Sequence, residues 1–156
     1  MLYSLRMTYR RGFTILEALI VIAVFGLLAT LAVLSLNSAR ASLRDAQRLS
    51  DVSTIRAGLS QYWLEKADYP TADSVMVGSA GANKLSSAGF VDQSDQATPV
   101  YIENLSGGPK SGEYYRYHGS ASGYSLRFQT ETKTDLGAAN VYYAHASGID
   151  REDADK

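Results

Sequence analysis

Few side chains in this 156-residue sequence combine the residue types and spacing that chemistry requires, and one stands in an unusual place. Glu17 opens a run from Ala18 to Ala39 that holds no charged residue. A carboxylate one turn inside an apolar segment costs on the order of 2.5–3.5 kcal/mol on insertion scales and is normally kept with a partner. On position alone two readings stay open. Glu17 snorkels to the headgroups or is protonated, or it meets a cation delivered into the membrane, such as an α-amine freed by cleavage just upstream. His118 and His145 show no serine–histidine–aspartate spacing, and no glycine loop is followed by Lys-Ser or Lys-Thr. The chain has no cysteine, which excludes disulfides, thiolate metal sites and cysteine nucleophiles. No catalytic set emerges, so the chain reads as non-enzymatic. The acidic end, Asp150, Glu152, Asp153 and Asp155, offers oxygen ligands suited to calcium, although it lacks the spacing of a helix–loop–helix calcium loop. A frayed, charged tail is the competing reading.

The elements that must position these residues divide the chain sharply. The uncharged run is long enough, at about 1.5 Å per residue, to cover roughly 30 Å and cross a bilayer. Arg6, Arg10 and Arg11 precede it with no acidic residue among the first twelve, which predicts a cytoplasmic N-terminus. From Asn37 the pattern stays helical but turns amphipathic: Leu49, Val52, Ile55, Leu59, Tyr62 and Trp63 recur at spacings of three and four. The helix should stop near Asp68, because Tyr69 precedes Pro70. Strand signals follow at 100–105, 113–118, 124–130 and 140–145, with turns at Gly107-Gly108-Pro109 and from Gly119 to Gly123. Seven of the eleven tyrosines fall between Tyr101 and Tyr143, as sheet packing would use them. Residues 71–99, rich in Ser, Ala, Gly and Asp, read as the loop joining helix to sheet, pinned by Leu85 and Phe90.

Residues 10–17, Arg10-Arg11-Gly12-Phe13-Thr14-Ile15-Leu16-Glu17, lead directly into the apolar helix. This segment resembles the class III signal of type IV pilins and type II secretion pseudopilins. The resemblance implies cleavage between Gly12 and Phe13 by a prepilin peptidase and N-methylation of Phe13. It also implies that Glu17 receives the N-terminal amine of a neighbouring subunit. Two departures are visible: the helix-breaking proline that many members carry falls at Leu34, and the C-terminal disulfide of many members cannot form. A calcium site at the end of the head, as in the major pseudopilins, would draw on Asp150, Glu152 and Asp153; no other cofactor is expected. An ordinary secretory signal cut near Ala39-Arg40-Ala41 fits less well, because the apolar run is longer than usual and begins with a glutamate.

The expected fold is α+β, a long N-terminal helix with a transmembrane half and an amphipathic half packed against a small antiparallel sheet, in a pilin-like lollipop. The expected organisation is a cleaved basic leader at 1–12, a transmembrane and assembly helix at 13–36 and an amphipathic helix at 37–67. A helix-to-sheet loop at 68–99, an antiparallel β head at 100–149 and an acidic tail at 150–156 complete it. The favoured function is a structural subunit of a type IV pilus for adhesion, motility or DNA uptake. The alternatives are a type II secretion pseudopilin and, from a different class, a monomeric membrane-anchored binding domain. The subunit would sit in the inner membrane before assembly and then in a surface pilus or periplasmic filament. Its partners would be further copies of itself and, as the family implies, a prepilin peptidase, an assembly ATPase and a platform protein. Arg40, Arg44 and Arg48, four apart, would meet lipid headgroups or pair with Asp45 and Asp51 of neighbouring subunits, or simply form a solvated face. Nucleic acid is not indicated: the formal net charge is −1, and loss of the three leader arginines makes it more negative.

Overall fold

The computed structural model describes residues 12–156; the leader residues Arg6, Arg10 and Arg11 lie outside the described residues. Tertiary contacts divide the chain into two units that meet between Ser38 and Ala39. Helix α1 (Ile15–Lys66) runs through that boundary. Within the first unit its apolar side chains are exposed, from Ile15 at 82% through Phe25 at 69% to Leu36 at 51%. The helix is long and apolar enough to cross a membrane, with a mean hydropathy of 2.8 over its most apolar window. Thr30, the one hydroxyl within the stretch from Ala18 to Leu34, satisfies its own donor by bonding the Gly26 and Leu27 carbonyls at 2.8 Å.

In the second unit the helix presents Val52, Ile55, Leu59 and Tyr62 to a β core and buries each of them. Trp63, placed with that stripe by its spacing, is instead 46% exposed, because it sits about 100° round from Tyr62 and beyond the covered face. The helix closes at Lys66 with Ala67 in the left-handed region at φ 56°, its N–H on the Trp63 carbonyl at 2.8 Å.

Among the described residues, eight strands form two antiparallel sheets. The larger has the order β1 (Ala72–Val77), β5 (Tyr115–Ser120), β6 (Gly123–Gln129), β7 (Val141–Ala144) and β8 (Ile149–Asp150). The smaller places β2 (Lys84–Ser86) between β3 (Gly89–Val91) and β4 (Val100–Ile102). On β5, Tyr115, Tyr117 and Gly119 point to the core while Arg116 and His118 point outward. Tyr124, Leu126 and Phe128 do the same on β6, as the alternation in 124–130 predicts. Buried tyrosine hydroxyls find acceptors: Tyr117 donates to the Pro70 carbonyl at 2.8 Å, Tyr115 to Asp51 at 2.7 Å and Tyr142 to the Ala138 carbonyl at 2.7 Å.

Three expectations need correction. The expected loop at 68–99 holds β1, β2 and β3, so the β head begins at Ala72 and not at residue 100. Its polar, small-residue composition hides the strands, which owe their existence to pairing with β5 and β4 rather than to propensity. Leu85 is fully buried there, and the Phe90 ring packs edge-on to Tyr117 with centroids 4.7 Å apart. The segment 100–105 contributes only the short β4, which pairs with β2 and not with the larger sheet. The acidic tail at 150–156 does not fray: Asp150 ends β8, and the Lys156 carbonyl accepts the Ala146 N–H at 3.1 Å.

Candidate functional site

The N-terminal segment carries the residues singled out for processing and assembly. Gly12 and Phe13 precede the helix in non-helical backbone, and both are exposed. Thr14 is the N-cap. Its carbonyl accepts the Ala18 N–H at 3.2 Å, and its hydroxyl accepts the Glu17 N–H at 3.2 Å. Thr14-Ile15-Leu16-Glu17 therefore has the order of a capping box, with a carboxylate in the first turn where the helix dipole favours negative charge. The sequence carried this signal in the Thr-x-x-Glu spacing, and reading Glu17 only as an intramembrane acid overlooked it. The cap engages the backbone of Glu17 and leaves its side chain exposed, with no salt bridge among the described residues.

Two of the three arginines of the stripe behave differently from the readings the spacing suggested. Arg44 and Arg48 turn inward onto acids of their own chain. Arg48, only 2% exposed, bonds Glu113 through Nε at 2.6 Å and through Nη2 at 2.8 Å. Its Nη1 reaches Asp45 at 2.7 Å, and Nη2 also lies 2.7 Å from Glu131. Arg44 binds Glu131 with Nε at 2.9 Å and Nη2 at 2.6 Å, and the Lys110 ammonium adds a contact at 2.9 Å. Asp45, 1% exposed, accepts the N–H groups of Glu131 and Thr132 and the Thr132 hydroxyl at 2.7–3.0 Å. Three acids and three bases thus close a neutral cluster between α1, the turn before β5 and the turn after β6. Arg40 alone of the stripe stays exposed. Sequence spacing placed the arginines on one line, but Glu113 lies 65 residues beyond Arg48, so no local pattern could pair them.

The cluster sets its own electrostatics. The Arg44 guanidinium, outweighing desolvation and helped by Lys110 and Arg48, holds the Glu131 carboxyl far below the usual carboxylate range. Burial would raise Asp45, yet the amide bonds of Glu131 and Thr132 outweigh it and lower it. Bonding to Glu113 raises the Arg48 guanidinium against the opposing effect of burial.

The other candidate ligands separate. Asp150 accepts the Glu152 N–H at 2.8 Å and the Lys156 ammonium at 3.0 Å, and these bonds, the amide's first, hold its carboxyl down to about 2. Glu152 also contacts Lys156, whereas Asp153 accepts the Ser125 hydroxyl at 2.7 Å. Asp150, Glu152 and Asp153 do not converge on one point, and the described residues contain no group of three or more such side chains arranged to hold a metal. His145 is fully buried between the Tyr124 carbonyl at 3.0 Å and Asp150 at 3.1 Å, a structural role. His118 is bonded to Asp155 at 2.9 Å and lies 3.8 Å from Asp73; the Asp155 bond raises its pKa.

The described residues thus combine a capped, membrane-length apolar helix, an exposed glutamate side chain in its first turn, and a helix-backed antiparallel head. Residues 7–33 match the prokaryotic N-terminal methylation motif. The type II secretion system core protein G of Klebsiella michiganensis is 33% identical over 69 residues, covering 44% of this chain and 49% of that protein. Core protein G of Klebsiella pneumoniae is 29% identical over 126 residues, covering 77% of this chain and 86% of that protein. The corresponding Escherichia coli K12 protein is 34% identical over 64 residues, 41% of this chain and 44% of its own length. The match thus spans about half the length of several of these relatives and most of one. No solved structure matches. The chain is thus similar to type IV pilins and type II secretion pseudopilins in its N-terminal motif, and to one core protein G over most of its length.

Replacing Arg48 by Met removes the cation from two or more acids that stay partly or fully buried. Unfolding free energy should fall by about 3–5 kcal/mol, read from urea denaturation of the full chain in detergent. Glu131 and Asp45 have folded-state pKa values below their ordinary 4.5 and 3.8, so the unfolded chain binds more protons in acid. Their contribution is complete above about pH 5 and is lost as pH falls toward the depressed values. The melting temperature should accordingly drop between pH 5 and pH 3, and Glu131→Gln should flatten that part of the profile.

Proposed function

We propose that this chain is a prepilin-type subunit that polymerises through α1 into a short secretion filament of the pseudopilin kind. Exposure of the membrane-length apolar stretch carries the proposal: none of the described residues covers it, so lipid must solvate it before assembly and like helices after assembly. The relatives favour a secretion filament over a surface pilus, because their names specify type II secretion and one match covers 77% of this chain and 86% of that relative. The pilus reading rests on the N-terminal motif alone, which both kinds of filament share.

In this reading the peptidase reaches the Gly12–Phe13 bond because it precedes the capped helix in open backbone. Cleavage leaves an α-amine on Phe13, which is methylated. The helix inserts with its N-terminus on the cytoplasmic side, and the head faces the periplasm. Glu17 of one subunit then accepts the α-amine of the next, which sets axial register and neutralises two charges in an apolar bundle. The capping by Thr14 supports this division of labour, since it engages the Glu17 amide and leaves the carboxylate for a partner. The assembly ATPase and platform protein would supply the extraction work, and the chain's own role is structural, without catalysis.

Intact mass spectrometry of the protein from its native membrane fraction should give a species that begins at Phe13 and is heavier by one methyl group; a species beginning at Met1 would refute processing. Glu17→Gln keeps the side-chain size and removes the charge. It should leave processing and membrane insertion intact while lowering the sedimentable filament fraction by roughly a hundredfold, the effect of losing about 3 kcal/mol at each subunit contact. Wild-type levels of filament from that variant would refute the pairing.

A further inference from the structure

The outward face of the larger sheet has a feature that neither filament assembly nor the head core explains. Arg116 on β5 and Arg127 on β6 are direct cross-strand partners, and Arg127 is in turn the direct partner of Tyr143 on β7. Two guanidinium side chains opposite each other on one face repel, which makes this pairing destabilising by itself. Arg127 is moreover half-buried. Other inward-drawn arginines of the head have acceptors: Arg44 and Arg48 have the acid cluster, and Arg56 has the His145 carbonyl at 3.2 Å. Neither Arg116 nor Arg127 has an ion pair or a side-chain hydrogen bond among the described residues, so their charge is uncompensated at close range.

Both arginines and Tyr143 line one cleft of about 700 Å³, to whose wall Asp73 and the returning C-terminal tail also contribute. The tail carboxylates in that wall are already engaged. Asp153 accepts from Ser125 at 2.7 Å, and Asp155 is bonded to His118 at 2.9 Å. The cleft therefore sets Arg116, Arg127 and Tyr143 beside three carboxylates, of which Asp153 and Asp155 are held by Ser125 and His118, while Asp73 is exposed and lies 3.8 Å from His118. We propose that this cleft is an oxyanion site in which Arg116 and Arg127 together bind a phosphate-type group, with the Tyr143 hydroxyl as an additional donor. Guanidinium forks match the oxygen spacing of phosphate and bind it in parallel pairs, and a bridging dianion would convert the repulsion between the two strands into attraction. The two sources of such a group are a free phosphate or monoester and the phosphodiester of a lipid headgroup; both present the same oxygens to the same forks. The site lies wholly within the second unit and does not depend on the proposed assembly function.

The test uses the full chain in dodecyl maltoside at pH 7 and constant ionic strength, with sodium chloride exchanged for inorganic phosphate or for glycerophosphoglycerol, the soluble diester of a headgroup. Wild-type protein should show a saturable rise in melting temperature and a matching calorimetric titration with at least one of the two. A stronger response to inorganic phosphate assigns the free ion or monoester, and a stronger response to the diester assigns the headgroup. Arg116→Gln and Arg127→Gln should each weaken binding at least tenfold while melting at or above the wild-type temperature in chloride, because each removes a like-charge neighbour. No saturable response to either probe would overturn the site. So would variants that respond as wild type does, or that melt several degrees lower in chloride, since the arginines would then be structural.

Discussion

The buried guanidinium of Arg48 is the constraint around which the head is arranged. An uncompensated cation at that depth would be prohibitive, so its position obliges Glu113, Glu131 and Asp45 to arrive at the same place from three parts of the chain. Asp45 adds a second tie, because its carboxylate is also the acceptor for the amides that open the turn after β6. The helix face below these charges is apolar, with Val52, Ile55 and Leu59 against the sheet. Apolar burial supplies adhesion but little register. The charge cluster supplies register, since a shift of one helical turn would leave several charges unpaired.

The same helix meets opposite demands along its length. In the first unit its side chains are apolar on every side, which only lipid or other helices can solvate. The transition occurs where the first buried charges appear, at Asp45 and Arg48, about two to three turns after the unit boundary. The N-terminal end is held by a cap that uses the Thr14 hydroxyl and leaves the Glu17 carboxylate outside. A single side chain in the wrong solvent is thereby compatible with a well-formed helix start, and the local stability of that start does not depend on the neighbour that Glu17 would meet in a filament.

On the sheet, packing and exposure follow the pleat. Tyrosines at alternate positions of β5 and β6 fill the core, and the stacked pair Tyr117–Tyr124 has its ring centroids 5.9 Å apart. Gly119 makes room for this arrangement: a Cβ there would stand 2.7 Å from the Pro70 carbonyl oxygen, the acceptor of the Tyr117 hydroxyl. The outward positions are left to Arg116, His118 and Arg127, and the tail that returns across this face is fastened through Ser125 and His118. The tail is therefore part of the sheet's architecture and also forms a wall of the cleft.

The sequence by itself determined those features whose physics is local. Twenty or so apolar residues in a row require a membrane-length helix, a three–four periodicity requires a buried stripe, and Tyr-Pro after a helix ends it. Alternation over 124–130 was sufficient to place Tyr124, Leu126 and Phe128 inward, and Gly12-Phe13 with Glu17 was sufficient to mark the resemblance to prepilin-type subunits. Tertiary structure alone decided the rest. The strands β1, β2 and β3 exist because other strands pair with them, and their own residues carry weak propensity. Arg44 and Arg48 lost their presumed external role because acids far along the chain fold onto them. The acidic tail became a packed strap because His118 on β5 and Ser125 on β6 stand where it could reach them only in three dimensions. Local patterns report the free energy of one segment in one solvent, whereas pairing, charge compensation and strand order depend on which distant segment comes to lie beside it.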